Sequence, residues 1–279
     1  MRLIFHLGTY KTGTSSFQDM LFNNRKILKK NNIIHPQTGI TNEKKLGHRH
    51  TPLIMNFLSG KNDACPNALL DELNASKAKT AIISSEAWSH PLHLSHLTRL
   101  VAVLNEHGYR DCSGFLVLRN LTRYQVSHYR EYTVNRNNSQ TYREYLRKRS
   151  GTFDYLLLAR SFRSIFGSRF YTLPFDTSND ITSDLLVAMG LGRVYNKMVQ
   201  TPRSNVKSIG TLEVEAMRCA NLMKRPKAEG LLALSSIISE DPTLETDLFT
   251  ERFIGDTTNF TAAYRRNLRN IADWSERDI

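Results

Sequence analysis

Apolar positions along this chain come in two rhythms. Leu3-Ile4-Phe5-His6-Leu7 is a short apolar run closed by Gly8, which predicts a buried strand. From Gly13 the period lengthens: Phe17, Met20, Leu21 and Leu28 share one face of a helix, while Gln18, Asp19, Arg25 and Lys26 fall elsewhere. Lys29 and Lys30 close that stretch, where a helix C-terminus favours cations. The alternation then repeats. Thr80-Ala81-Ile82-Ile83-Ser84 and Gly114-Phe115-Leu116-Val117-Leu118 are near-continuous apolar runs, the mark of strands covered on both faces. Helical patterns follow them, from Pro91 to about Glu106 and from about Thr122 to Val134. A fourth run, Phe170-Tyr171-Thr172-Leu173-Pro174, precedes a helix from Ile181 to about Met189. Strands alternating with helices predict an α/β fold, a doubly wound parallel sheet flanked by helices. The rest, about 191–279, reads as a helical extension with Pro202, Pro226 and Pro242 as punctuation. With no internal repeat or low-complexity linker, the expectation is a single domain over 1–279 with its core in about 1–190.

Composition narrows the function classes without choosing one. An apolar share of 40% suffices for a core and excludes disordered and fibrous classes. The 38 Lys and Arg against 26 Asp and Glu give a formal charge of +12, which suits a polyanionic partner. Nucleotide, anionic glycan, nucleic acid and membrane surface all qualify on charge. Cys65, Cys112 and Cys219 are too few and too scattered for a disulfide framework or a zinc site, so a reducing compartment fits. Met1-Arg2 begins no signal-peptide pattern, and no apolar run approaches the roughly 20 residues that span a bilayer. A soluble, cytoplasmic protein is expected, with peripheral membrane contact left open.

The chemistry starts between the first strand and the first helix, at Gly8-Thr9-Tyr10-Lys11-Thr12-Gly13-Thr14-Ser15-Ser16. A helix N-terminus presents unpaired backbone N–H groups and the positive end of its dipole. Gly13 allows close backbone approach, Thr12, Thr14, Ser15 and Ser16 bring hydroxyls, and Lys11 brings a full charge. Ser/Thr caps alone explain one or two hydroxyls, not this concentration. The loop is therefore read as a site for a phosphate or a phosphate-like group. It is not a Walker A loop: Gly8 and Gly13 have the spacing of G-x-x-x-x-G-K-[ST], but Thr14 stands where the lysine belongs. The strand at Thr80 ends Ser84-Ser85-Glu86 rather than in a magnesium-binding aspartate, and a triphosphate kinase relies on a metal at its phosphates. A phosphosulfate carries less charge at the transferred group, so a lysine and hydroxyls suffice.

The stretch His6 to Gln18, HLGTYKTGTSSFQ, resembles the 5′-phosphosulfate loop of the sulfotransferase family, particularly its bacterial carbohydrate-directed members. Arg119 closes the strand at Leu118 and Ser127 follows eight residues on, in RNLTRYQVSHYREY. In that family an arginine and a serine so placed hold the 3′-phosphate of the donor. Arg123, Ser127 and Arg130 also share one helical face, and arginine forks with a hydroxyl suit a phosphate dianion. The resemblance implies a P-loop-like fold and 3′-phosphoadenosine 5′-phosphosulfate (PAPS) as co-substrate without a metal. It further implies a carbohydrate or glycolipid acceptor. With no aromatic-rich RNA motif, helix-turn-helix pattern or zinc spacing, no nucleic acid partner is expected. It covers about the first 190 residues, with Tyr264-Arg265-Arg266-Asn267 similar to a late segment of the bacterial group. Many cytosolic members place a tryptophan three residues after the glycine to stack on adenine. Here that residue is Ser16, followed by Phe17, so the adenine contacts are not read. Arg203 and Lys207 are stand-ins for the family's basic C-terminal loop.

Sulfuryl transfer requires the acceptor hydroxyl to lose a proton, which a positioned carboxylate or imidazole accepts. Glu86 leads, because it follows a parallel strand at the carboxyl end where open α/β sheets bind ligands, and similar Ser-Glu endings occur in the bacterial family. His50 and His48, in the GHRH segment, are the alternatives. Lys11 would stabilise charge on the leaving phosphate oxygen. His6 reads as a core residue of the first strand. His90, His93 and His96 step by three, drifting about 60° each around a helix, so they do not converge on a metal. The basic run Arg143, Arg147, Lys148 and Arg149 is either a solvated face or a guide for an anionic glycan. Three rivals stand beside the sulfotransferase: a nucleotide kinase with a degenerate Walker A loop, a non-catalytic nucleotide- or nucleic-acid-binding protein, and an inactive sulfotransferase scaffold.

Overall fold

The computed structural model describes residues 1–40, 48–53, 64–200 and 209–232. These group into two compact units, one of 1–120 with 156–200, the other of 121–155 with 209–232.

The first unit is built on a five-stranded sheet in the order β2-β3-β1-β4-β5, every neighbouring pair parallel. Its strands are β1 (Arg2–His6), β2 (Ile33–Ile34), β3 (Thr80–Ser84), β4 (Cys112–Leu118) and β5 (Phe170–Pro174). Alternate side chains serve opposite faces. On one face Ile4, Ile82, Phe115 and Val117 pack with α1 (Thr14–Asn23), α2 (Arg25–Lys30) and α8 (Ile181–Ala188) through Phe17, Met20, Leu21, Leu28, Ile181 and Leu185. On the other, Phe5 meets Phe166 of α7 (Tyr155–Phe166), ring centroids 5.5 Å apart. Gly114 is needed there, since a Cβ would lie 2.5 Å from the Phe166 ring. This is the α/β architecture, a parallel sheet flanked by helices, expected from the alternating pattern.

Several local features depart from the periodicity. The apolar stripe from Phe17 to Leu28 predicts one helix, but Asn24 divides it into α1 and α2. The Asn24 side chain donates to the Met20 carbonyl at 2.9 Å and exchanges hydrogen bonds with the Val199 backbone at 2.8 and 2.9 Å, drawing the chain out of helical geometry. The helix expected from Pro91 opens as a 3₁₀ turn, Pro91–His93, capped by His90, and α4 runs from Leu94 to Glu106. The edge strand β2 has two residues, too few to show a period, and α3 (Ala64–Ala75) completes this part of the chain.

The second unit contains α5 (Leu121–Asn135), α6 (Tyr142–Lys148) and α10 (Thr211–Leu222); the short α9 (Gly192–Tyr195) belongs to the first. Its core is aromatic: Tyr124, Tyr129, Tyr142, Tyr145, Phe153 and Tyr155 are all buried. His128 Nδ1 lies 2.6 Å from the Tyr145 hydroxyl, and a capping box between Thr141 and Glu144 starts α6. Asn221 of α10 donates to the carbonyls of Thr133 and Asn138, fastening that helix to the end of α5. No helix among the described residues is long and apolar enough to cross a membrane.

Candidate functional site

The Gly8–Ser16 loop rises from the carboxyl end of the central strand β1. Thr9 fixes it to β4: its N–H and its hydroxyl both donate to the Val117 carbonyl, at 3.3 and 3.0 Å. The Thr12 hydroxyl donates to the Thr9 carbonyl at 2.6 Å and closes the loop on itself. Three residues of the loop take positive φ: Gly8 at 37°, Lys11 at 67° and Gly13 at 74°. Gly13 is the N-cap of α1, and no side chain caps this helix. By contrast, the Asp180 carboxylate caps α8. The first-turn amides of α1, which have no intrahelical acceptors, thus converge on a loop carrying a lysine. Lys11 and Ser15 are exposed and Ser16 is half-buried. Thr14 is buried, its methyl group 2.4 Å from where a Cβ on Gly8 would sit. A Cβ on Gly13 would lie 2.9 Å from Ile181 and 3.5 Å from Phe175. Both glycines are required by space as well as by conformation.

At the end of the adjacent strand β4, Arg119 Nη1 donates to the Lys11 carbonyl at 3.3 Å. Its guanidinium lies over the Phe175 ring, 5.4 Å from the centroid, with Nε 3.9 Å from Asp176 Oδ1. Arg123 is exposed and Ser127 half-buried on α5, in the second unit.

A buried polar network stands at the end of β3, on the other side of β1. Glu86 follows the strand, with Ser85 capping the 3₁₀ turn Glu86–Ser89. One carboxylate oxygen accepts from Gln18 Nε2 of α1 at 3.0 Å, and the other is paired with Arg49. Next to Arg49, His48 Nδ1 lies 2.8 Å from Asp19 Oδ1 of α1, and its ring stacks on Phe22 with centroids 3.6 Å apart. The His50 N–H donates to the Ser84 carbonyl at 2.8 Å and holds this segment against β3.

His50 is fully buried, its Nδ1 accepting from the Ser84 N–H at 3.1 Å and its Nε2 3.1 Å from the Pro36 carbonyl. Burial lowers its pKa to about 4. His6, as expected for a core residue, is fully buried beside Ser84 Oγ at 2.8 Å, with its pKa lowered by burial to about 3. Phe17 is buried edge-on to His6 and offers no surface to a base. In the basic run, Arg143, Arg147 and Lys148 are exposed on α6, while Arg149 covers the Tyr132 ring at 4.0 Å. Among the described residues no cluster of three or more His, Cys, Asp or Glu is placed to hold a metal. Arg203, Lys207 and Tyr264-Arg265-Arg266-Asn267 lie outside the described residues. The partners Gln18, Asp19, Arg49 and Asp176 were not legible in the sequence, because each is joined to its site by a long-range contact with no local motif.

No family model matches the chain, and no curated protein matches it. Among solved structures the chain is similar to a sulfotransferase from Alicyclobacillus acidocaldarius, at 15% identity and a TM-score of 0.45, over 82% of this chain and 98% of the other.

Proposed function

We propose that this chain is a sulfotransferase that transfers a sulfuryl group from 3′-phosphoadenosine 5′-phosphosulfate to a hydroxyl of a carbohydrate or glycolipid acceptor. The observation that carries the reading is the hydrogen bond from Arg119 to the Lys11 carbonyl. It joins two cationic elements, one at the end of β1 and one at the end of β4, into a single piece. A donor with anionic groups at both its 5′ and 3′ positions calls for two such elements, whereas a nucleoside triphosphate calls for one loop and a metal.

The residues fit such a donor. Left-handed Lys11 and Gly13 and the uncapped start of α1 form a cradle, and Gly13 is held against Ile181 too closely for a side chain to fit without shifting the loop. The bound donor supplies an activated sulfuryl group whose sulfur–oxygen bond to phosphate breaks as the acceptor oxygen bonds to sulfur. Lys11, Ser15 and Ser16 would hold the 5′ group, with the Lys11 ammonium neutralising charge on the leaving phosphate oxygen. Arg119 would hold the 3′-phosphate. His48 would take the acceptor proton on Nε2, since an Nδ1–H directed at Asp19 leaves the Nε2 lone pair as the basic site. Glu86, engaged by both Arg49 and Gln18, would position that wall rather than act as the base.

Purified protein incubated with the donor and a panel of neutral and anionic saccharides should release 3′-phosphoadenosine 5′-phosphate and yield sulfated product. Phosphorylated product from ATP and magnesium, with none from the phosphosulfate, would overturn this reading in favour of a kinase.

A further inference from the structure

Lys11 holds a left-handed backbone conformation that side chains other than glycine rarely adopt, so something must keep it there. The contacts converge on one side. Arg119 holds the Lys11 carbonyl at 3.3 Å, stacks on Phe175 and faces Asp176. Asp176 in turn accepts the Asn120 N–H, and the Phe175 N–H donates to the Leu118 carbonyl at 2.7 Å. Phe175 also lies 3.5 Å from the Cβ position of Gly13. The ends of β4 and β5 therefore grip the loop at two of its positive-φ residues, Lys11 and Gly13.

We propose that Arg119 is a positioning residue for the Lys11–Gly13 loop, so that the loop's affinity for a 5′ anion depends on Arg119 even when the ligand has no 3′-phosphate. This rests on the donor-site reading above and goes beyond it. A guanidinium is a rigid fork of five N–H donors and serves a carbonyl and a ligand together, which a lysine ammonium in its place does not reproduce. Occupation of the 3′-phosphate position would then stiffen the loop, and the two ends of the donor would bind with positive coupling.

The test uses ADP, which has two 5′ phosphates and no 3′-phosphate, beside 3′-phosphoadenosine 5′-phosphate. Affinities are measured by calorimetry on wild type, Arg119→Ala, Arg119→Lys and Asp176→Asn. Hydrogen exchange of the loop amides over residues 8–16 is followed in the ligand-free proteins. Arg119→Ala should weaken ADP about tenfold, the scale of one lost charge-assisted hydrogen bond, and speed exchange of the loop amides. Arg119→Lys should recover part of the bisphosphate affinity but not that of ADP, and Asp176→Asn should weaken both mildly. Unchanged ADP affinity and unchanged loop exchange in Arg119→Ala would overturn the proposal and leave Arg119 as a 3′-phosphate contact alone. Should Arg119→Ala lose its circular-dichroism signature of folding, Asp176→Asn decides by the same two readouts. If wild type binds neither nucleotide the donor reading fails, and the exchange result still decides whether Arg119 holds the loop.

Discussion

Arg49 and Glu86 form an ion pair at the carboxyl end of β3, with the Gln18 amide on the carboxylate's second oxygen. The pair is mostly withdrawn from water, Glu86 at 4% and Arg49 at 21% side-chain exposure, so neither partner is readily solvated alone. Glu86→Gln should destabilise the protein by about 3 kcal/mol by leaving the Arg49 charge uncompensated. Combining it with Arg49→Met should cost less than the sum of the two single changes, because the pair is lost as a unit. Urea unfolding of the four proteins measures this. Strict additivity would mean that the pair does not act together.

His48 and Asp19 account for proton removal. His48→Gln should lower kcat by about 10²-fold or more while leaving nucleotide affinity unchanged, the effect expected on losing a general base. Asp19→Asn should lower it less, through misorientation of the ring. An unchanged kcat in His48→Gln would return Glu86 to the role of base.

Gly13→Ala tests the cradle. The added methyl would lie 2.9 Å from Ile181 on backbone at φ 74°, so the loop must shift. We expect a stability loss of about 1–2 kcal/mol from the left-handed conformation and loss of detectable bisphosphate binding by calorimetry. Ser16→Ala, at a residue that imposes no such backbone demand, should weaken binding only mildly.

Buried histidines set the acid limit of the fold. His6 and His50, lowered by burial to about 3 and about 4, stay neutral in the native state. His35, also buried, is lowered by burial and by nearby His50, Arg25 and His48. The unfolded chain takes up protons at these sites near pH 6.5, so it binds more protons than the native state below that value. Stability should therefore be full above about pH 6.5 and fall by about 1.4 kcal/mol per pH unit per site as pH drops toward 4. Denaturant midpoints at several pH values measure the slope, and His50→Gln should remove about one proton from it. A flat profile between pH 6.5 and 5 would contradict this.

The sheet was legible because β1, β3 and β4 are near-continuous apolar runs of at least five residues, and β5 continues the alternation of strand and helix. β2 was not, since two residues carry no period, and neither was the break at Asn24, whose side chain is recruited by Val199 far along the chain. The anion loop was legible from its local concentration of glycine, lysine and hydroxyls. The division of labour within it was not: Thr12 and Ser16 look alike in sequence, but only the Thr12 hydroxyl is committed to the loop's own backbone. His48 and His50 show the same limit. They are two residues apart, and only the fold buries one and pairs the other with Asp19.

The most direct test of the account is calorimetric titration with 3′-phosphoadenosine 5′-phosphate, without magnesium, on wild type, Lys11→Ala and Arg119→Ala, with magnesium-ATP in parallel. The account predicts tight, magnesium-independent binding to wild type that both substitutions weaken, with ATP binding more weakly than the bisphosphate. A preference for magnesium-ATP, or no binding of the bisphosphate at all, would contradict it.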